Sequence, residues 1–302
     1  MAIRLNARAF GRGAAGVGLA LALAAGTTLL TDTAAHAQTV TTGSVDFTGD
    51  PGDHISLGQP HGFSTAAQDQ LTVHTSDDHS EVTVSVRGAH GGWWNLDFSG
   101  PNGTALTART YPGAVRPVYA GPSDSGLEIG GDGRGCDTLT GSFTVTNAVF
   151  GPHGYVQAFD AGYEQHCGGV APALRGEIHI ANPPAPAELG LGVGLAVTGT
   201  AGPLDGKATV QGTVTCNKAV PVSVTGQVTQ VAHKTLIRGS YSTTVNCTPG
   251  APVAWTAQAD PTGTTPFQKG DVAVVVDAGA VDPDYQVAVS DTKTVTVSLR
   301  KG

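Results

Sequence analysis

Apolar and polar residues alternate along most of the chain after about residue 38. Glu81–Arg87 (EVTVSVR) and Ala208–Cys216 (ATVQGTVTC) show the pattern, with valine or another small apolar residue at every second position. A period of two places successive side chains on opposite faces of a β-strand. No stretch of ten or more residues in this part has the helical period. The pattern therefore predicts an all-β protein.

Turn-forming residues divide the strand-like segments, and one longer interruption divides the chain. The segment Ala181–Gly190 (ANPPAPAELG) is rich in proline and carries one charge. Such a composition is typical of a semi-rigid spacer. We therefore predict an N-terminal all-β unit (38–180), a Pro-rich linker (181–188) and a second unit (189–302). Both are expected to be antiparallel and sandwich-like, the second with about seven strands and an immunoglobulin-like architecture.

The first 37 residues have the pattern of a secretory signal peptide. Arg4, Arg8 and Arg12 precede an apolar run from Ala14 to Leu30, and the small-residue sequence AHA ends at position 37. This order of basic, apolar and small-residue segments predicts cleavage before residue 38 and an extracellular location. The apolar run is slightly short and rich in Gly and Thr for a membrane anchor. We expect no membrane attachment after cleavage.

The net charge is −8, and only 13% of residues are charged. The predicted leader holds three arginines and one aspartate, a net charge of +2, so the remaining chain carries −10. An acidic surface repels phosphate backbones, so nucleic acid is not an expected partner. The chain also lacks the polybasic patch that binds anionic membranes.

Four cysteines in a secreted chain predict two disulfides, for which three pairings exist. The strand-like segments Leu139–Phe150 and Tyr155–Cys167 flank the turn sequence GPHG. A symmetric turn would place Phe150 opposite Tyr155 and Cys167 opposite Thr138, two residues from Cys136. Directly opposed strand residues lie within disulfide reach. We therefore predict the bridge Cys136–Cys167.

The second bridge is predicted by the same reasoning. Cys216 and Cys247 each end an alternating strand on its apolar face, which favours the bridge Cys216–Cys247. The sequence YEQHC, from Tyr163 to Cys167, could instead suggest a cysteine nucleophile with His166 as its base. Neighbouring strand residues point to opposite faces, however, so His166 is poorly placed to deprotonate Cys167.

Three segments of the first unit resemble a recurrent all-β domain of secreted actinobacterial proteins. They are GDGRGCDTLTGSFTV (131–145), FDAGYEQHCGGVAPALRGEIHI (159–180) and WNLDFSGPNGTALTARTYPGAVR (94–116). The family has an acid directly after the second cysteine, where this chain has Gly168. The resemblance implies an extracellular module and carries no assigned chemistry. The second unit resembles the immunoglobulin-like sandwiches of similar secreted proteins.

Aromatic residues are the best candidates for ligand binding. In WWNLDF, alternation assigns Trp94, Leu96 and Phe98 to the core and turns Trp93, Asn95 and Asp97 to the other face. An exposed tryptophan beside an amide and a carboxylate could stack on a sugar ring and hydrogen-bond its hydroxyls. A second sheet covering Trp93 is the alternative. The candidate binding residues are Trp93, Asn95, Asp97, Tyr111 and Tyr119.

Candidate metal sites are weak, and we predict no metal and no cofactor. His74–Glu81 (HTSDDHSE) is the densest cluster of ligand-type residues, and its composition also favours the tip of a β-hairpin. Asp282–Asp284, with Asp277 and Asp291 nearby, could bind Ca²⁺, but a β-turn is the better interpretation.

Candidate catalytic groups are equally weak. Asp160, Glu164 and Glu177 could offer a carboxylate pair for glycoside hydrolysis, but Asp160 and Glu164, which share a strand face, lie about 13 Å apart, beyond the separation that the reaction uses. Arg134 lies in a glycine-rich loop that a strand follows, where phosphate binding needs a helix. It is expected instead to pair with Asp132, Asp137 or Glu164.

These observations favour a secreted binding or scaffold protein without catalysis that contacts cell-surface or polymeric carbohydrate. The alternative is a secreted glycan or cell-wall hydrolase with the first unit catalytic, which an open cleft with two acids within about 10 Å would favour. A protease-inhibitor-like domain is a third possibility, and it would need the GPHG loop (Gly151–Gly154) to protrude.

Overall fold

The computed structural model describes residues 37–302. The predicted signal peptide falls on residues outside this range, apart from its last, and stays a prediction. The described chain is all-β, in two sheets with one disulfide in each, which confirms the predicted fold class. Among residues 37–302, no helix is long and apolar enough to cross a membrane.

The first sheet has eleven strands and curls into a half-barrel, in the order β1-β4-β5-β6-β8-β7-β9-β10-β11-β2-β3. Its strands are β1 Gln38–Thr39, β2 Thr42–Gly49, β3 His61–Ser64, β4 Gln70–Thr75, β5 Glu81–Arg87, β6 Trp93–Ser99, β7 Arg109–Val115, β8 Gly126–Gly131, β9 Leu139–Phe150, β10 Val156–Cys167 and β11 Leu174–Ala181. Short 3₁₀ turns lie at Thr65–Ala67, Pro101–Gly103, Pro117–Tyr119 and Pro152–Gly154.

The second sheet has eight strands, of which seven close into a ring through pairing of β14 with β17. Its strands are β12 Leu191–Leu195, β13 Thr198–Ala201, β14 Ala208–Cys216, β15 Val220–Ala232, β16 Thr235–Cys247, β17 Val253–Pro261, β18 Gly270–Val281 and β19 Ala288–Lys301.

The strand count of the second unit differs by one from the prediction. The first alternating segment, residues 189–199, forms two strands, β12 and β13, where one was expected. β12 pairs with β14, and β13 then adds a parallel pairing with β19, so the chain bends between them to reach a new partner. The immunoglobulin-like assignment of this unit stays a prediction.

Alternation selects the core of each sheet as predicted. Trp94, Leu96 and Phe98 are fully buried in the first core, and Trp255 is buried in the second. Aromatic rings fill the first core, where Phe98 contacts Phe143 edge to face with ring centroids 5.2 Å apart. Each sheet therefore encloses an apolar cluster of its own, which is the main source of its stability.

Both predicted disulfides are present, Cys136–Cys167 and Cys216–Cys247, and each spans 31 residues. The predicted register of the β9–β10 hairpin is wrong by one residue. Val156, not Tyr155, lies opposite Phe150, and Cys167 lies opposite Leu139. The reason is the turn, in which Gly151 donates its N–H to the Tyr155 carbonyl and so adds Tyr155 to the loop.

The Pro-rich segment contacts both units along its length. Tyr155 of the first unit donates a hydrogen bond to the Pro183 carbonyl, and His153 lies 2.9 Å from the Glu188 carboxylate. At the other end, the Leu189 N–H donates to Asp282 of the second unit. The GPHG loop therefore packs against this segment, and it does not protrude as an inhibitor loop would.

Candidate functional site

The outer face of β5 and β6 carries Trp93, and no second sheet within residues 37–302 covers it. Trp93 is 49% exposed, although its neighbour Trp94 is buried. Arg87 lies directly opposite Trp93 across the two strands, and it is exposed as well. Within residues 37–302, Arg87 makes no ion pair. A shallow concavity of ≈ 340 Å³ lies at Trp93 itself.

Polar cross-strand pairs extend from Trp93 along this face. Ser85 donates a hydrogen bond to Asn95 Oδ1 at 2.7 Å, which leaves the Asn95 amide nitrogen without a partner among the described residues. One row further, Thr83 donates to Asp97 at 2.6 Å. Burial raises the pKa of the Asp97 carboxyl above its ordinary value, and the nearby Glu128 charge adds to the effect. Asn95 is therefore the donor that a ligand on Trp93 would reach.

The other two aromatic candidates do not join Trp93. Tyr111 is 1% exposed, stacks on Phe143 and hydrogen-bonds Thr107, so its prediction as a binding residue is wrong. The pairing of β7 with β9 decides this, because it places Tyr111 directly opposite the buried Phe143. Tyr119 is 63% exposed, but it lies just after β7, near the end of β6 that Ser99 forms. Trp93 begins β6, and the length of this strand at 3.3 Å per residue separates the two rings by about 20 Å.

No protein-family model and no curated protein sequence matches the chain. The resemblance to a secreted actinobacterial domain stays a prediction.

A second and larger concavity lies on the outer face of β2, β3, β10 and β11. We call it the glycine groove, because Gly62 and Gly162 occupy outward positions there and leave no side chains. Its volume is ≈ 670 Å³. A smaller concavity of ≈ 330 Å³ continues along the same strands past His179. Sequence reasoning missed this groove, since only strand order brings β2 beside β11.

Two acidic residues occupy neighbouring outward positions in the glycine groove. Asp46 on β2 lies directly opposite Glu177 on β11, with Gly62 and Gly162 as the next residues on either side of this pair. Directly opposed strand residues have Cβ atoms about 5 Å apart, and like charges in these positions repel. Among residues 37–302, the basic side chain within 4 Å of this pair is His179, 3.7 Å from Glu177. Glu177 was considered as a catalytic carboxylate from the sequence, but Asp46 was not.

An ion-pair network borders the groove. Arg175 contacts both Glu164 (2.6 Å) and Asp50 (3.0 Å), and Glu164 also contacts His166 at 3.0 Å. The hydrogen bond from His166 lowers the pKa of the Glu164 carboxyl, and the same bond raises the pKa of His166. His166 therefore belongs to this surface network, on the strand face opposite Cys167.

This network predicts a pH-dependent stability difference. The pKa of His166 is higher in the folded than in the unfolded protein, so its interaction with Glu164 stabilises the fold. This stabilisation is complete below the unfolded pKa, about 6.5, and is lost as the pH rises through the folded pKa. We expect His166→Gln to lower the free energy of unfolding by about 0.5 kcal/mol near pH 5.5 and by almost nothing near pH 8.5. The loss is small because the pair of His166 and Glu164 is partly exposed. Urea unfolding at both pH values measures this, with exposed His90→Gln as the control. A larger loss at the higher pH would contradict the prediction.

The remaining candidate residues have structural partners. Arg134 donates to the Ile55 carbonyl and lies over the Trp94 ring, so the predicted carboxylate pairing is wrong. The buried carboxylate of Asp282 binds Lys218 at 2.7 Å, with Lys218 also contacting Asp284. His74–Glu81 forms the predicted hairpin tip between β4 and β5. Among residues 37–302, no group of three or more metal-ligand side chains could hold an ion.

Proposed function

We propose that this chain is a secreted, non-catalytic binding protein whose Trp93 face contacts polymeric carbohydrate outside the cell. The single observation that carries the proposal is the half-exposed Trp93 ring on a rigid strand, beside a free amide donor. Burying so large an aromatic ring against a ligand is favourable, and a flat ring accepts the apolar face of a sugar. The two disulfides support an oxidising, extracellular location.

The surroundings of Trp93 support recognition of hydroxyl groups. Asn95 presents its amide nitrogen on the same strand face, and the exposed Arg87 guanidinium lies across from the ring. The Trp93 backbone is fixed as well, because its N–H donates to Asp132 at 2.9 Å. Binding to this platform would therefore require little ordering of the protein, which favours affinity.

The test is co-sedimentation of the protein with insoluble polysaccharides of the cell wall and of plant or fungal origin. We expect the wild type to bind at least one polymer and Trp93→Ala to weaken that binding about tenfold or more, as loss of an aromatic anchor does. Tyr119→Ala is the matched control, because it removes an aromatic ring of similar exposure at the far end of the sheet. Absence of wild-type binding, or equal binding by Trp93→Ala, would refute the proposal.

One observation favours the alternative function of a glycan hydrolase. The glycine groove is an open cleft whose two carboxylates, Asp46 and Glu177, are directly opposed. Retaining glycosidases use two carboxyl groups about 5 Å apart, and acids on directly opposed strand positions are the kind of pair from which such a site is built. Release of reducing ends from any bound polymer, abolished by Glu177→Gln, would replace the binding proposal by this alternative.

A further inference from the structure

The regular β-ladder between β6 and β8 ends one residue short of Trp93. Its last opposed pair is Trp94 and Gly131. Toward β5, Trp93 lies opposite Arg87 in a pair without backbone hydrogen bonds, because the ends of the Gly88–Gly92 turn form the neighbouring hydrogen-bonded pair and the two kinds alternate. The backbone N–H and carbonyl of Trp93 therefore point toward β8, where the chain has already left the ladder.

Asp132 takes the place of the missing ladder partner. Its carboxylate Oδ1 accepts the Trp93 N–H at 2.9 Å, and its own N–H donates to the Trp93 carbonyl at 3.1 Å. Both backbone groups of Trp93 are thus bound by one residue outside the strands. Because a strand side chain takes its direction from the backbone, these two bonds set where the Trp93 ring points.

A tight turn holds the Asp132 side chain in place. Asp132 (φ 48°) and Gly133 (φ 75°) both lie in the left-handed region. Gly131 and Arg134 close the turn around them with mutual hydrogen bonds of 2.9 and 2.8 Å. Positive φ at both central residues defines the type I′ turn, for which Asp-Gly is a preferred sequence. The turn therefore fixes the Asp132 carboxylate relative to the end of β8.

Two further contacts anchor the segment that follows the turn. Arg134 donates to the Ile55 carbonyl at 2.7 Å, and its guanidinium lies over the Trp94 ring. Two residues later, Cys136 is joined to Cys167 at the end of β10. The turn that carries Asp132 is therefore attached to β8 on one side and to the core and the disulfide on the other.

A glycine-rich segment precedes Trp93. Its sequence is GAHGG (88–92), and Gly91 and Gly92 have φ of 100° and 87°. Glycine has the greatest backbone freedom of all residues, so this segment is poorly suited to fix the start of β6. The restraint on the Trp93 backbone comes from Asp132.

We infer that Asp132 is a positioning residue for the Trp93 site, which holds the first residue of β6 in the geometry that a ligand needs. The inference rests on the proposed function, in which Trp93 carries carbohydrate binding. Loss of the Asp132 oxygen would let the strand end fray, and a ligand would then have to order the Trp93 backbone before stacking on the ring. Binding would weaken although Trp93, Asn95 and Arg87 all remain.

Two substitutions separate the hydrogen bond from the turn and from the charge. Asp132→Gly keeps a residue suited to positive φ but removes the oxygen, whereas Asp132→Asn keeps the turn and the oxygen and removes only the charge. We expect Asp132→Gly to weaken co-sedimentation with the polysaccharide about tenfold, and Asp132→Asn to bind within about twofold of the wild type.

Amide hydrogen exchange followed by NMR measures the positioning without any ligand. We expect Asp132→Gly to speed exchange of the Trp93 amide by about tenfold or more, because its acceptor is lost, and Asp132→Asn to leave it near the wild-type rate. The Trp94 amide is the internal control. Alternation directs it toward Val86 on β5, so its exchange should stay unchanged in both variants.

Unchanged exchange at Trp93 in Asp132→Gly would overturn the inference. So would equal acceleration at Trp93 and Trp94, which would show that β6 loosens as a whole. Undiminished binding by Asp132→Gly, or an equal loss of binding in Asp132→Asn, would also overturn it, since position would then not control affinity. If the wild type binds no polysaccharide, the proposed function fails, and the exchange experiment still decides whether Asp132 holds Trp93 in place.

Discussion

Replacing Trp94 by alanine is expected to lower the free energy of unfolding by about 3–5 kcal/mol, the usual cost of emptying a large aromatic site in a core. Trp94 is 1% exposed, and its ring packs edge to face on Phe47 with centroids 4.8 Å apart. It also lies beside His61 and beneath the Arg134 guanidinium. The cavity would therefore loosen β2, β3 and the loop that carries Arg134.

The neighbouring tryptophan provides the matched control. Trp93 lies on the same strand but on the opposite face, so Trp93→Ala should change stability by no more than about 0.5 kcal/mol. Chemical denaturation followed by circular dichroism measures both variants. Equal losses would mean that the two faces of β6 have been assigned incorrectly, and the Trp93 binding proposal would fail with that assignment.

Removing the bridge Cys136–Cys167 by a double replacement with alanine is expected to cost about 3–4 kcal/mol. The bridge closes a loop of 31 residues, and the chain-entropy model gives this range for such a loop. A further loss of stability is expected because the buried Gln165 amide would lose one of its partners. This amide donates to the Ile129 carbonyl and contacts the Cys136 sulfur.

The second bridge allows the origin of this loss to be checked. Cys216–Cys247 has the same sequence separation, so its double alanine variant should lose a similar amount if loop closure dominates. Denaturant unfolding of both variants, and of the wild type under reducing conditions, measures the two contributions. A loss below about 1 kcal/mol for either bridge would contradict the prediction.

Much of the fold was predictable because strand alternation is a local property. The period of two identified the strands and correctly placed Trp94, Leu96, Phe98 and Trp255 inside. Hairpin proximity also gave the pair Cys136–Cys167, and the apolar-face positions of Cys216 and Cys247 at two strand ends gave the second pair. The one-residue error in register came from the turn, whose hydrogen bonds the sequence pattern does not specify.

The site was less predictable. Alternation correctly exposed Trp93, but it could not show that Tyr111 faces the core, because isolated aromatic residues in a short, irregular strand carry no clear period. Buried Gln165 is a similar case. A polar residue at an inward position is stable only because β8 supplies the N–H and carbonyl of Ile129, and that partner is 36 residues away in the chain.

The sequence by itself determined the all-β class, the two disulfides and the outward direction of Trp93, because these depend on residue period and on neighbours within one hairpin. Only the tertiary structure decided which distant strands lie side by side. Pairing of β2 with β11 brings Asp46 opposite Glu177 across 131 positions of chain, and pairing of β11 with β10 places Gly162 on the other side of Glu177. Long-range strand order is set by the packing of the whole core, which no local pattern encodes.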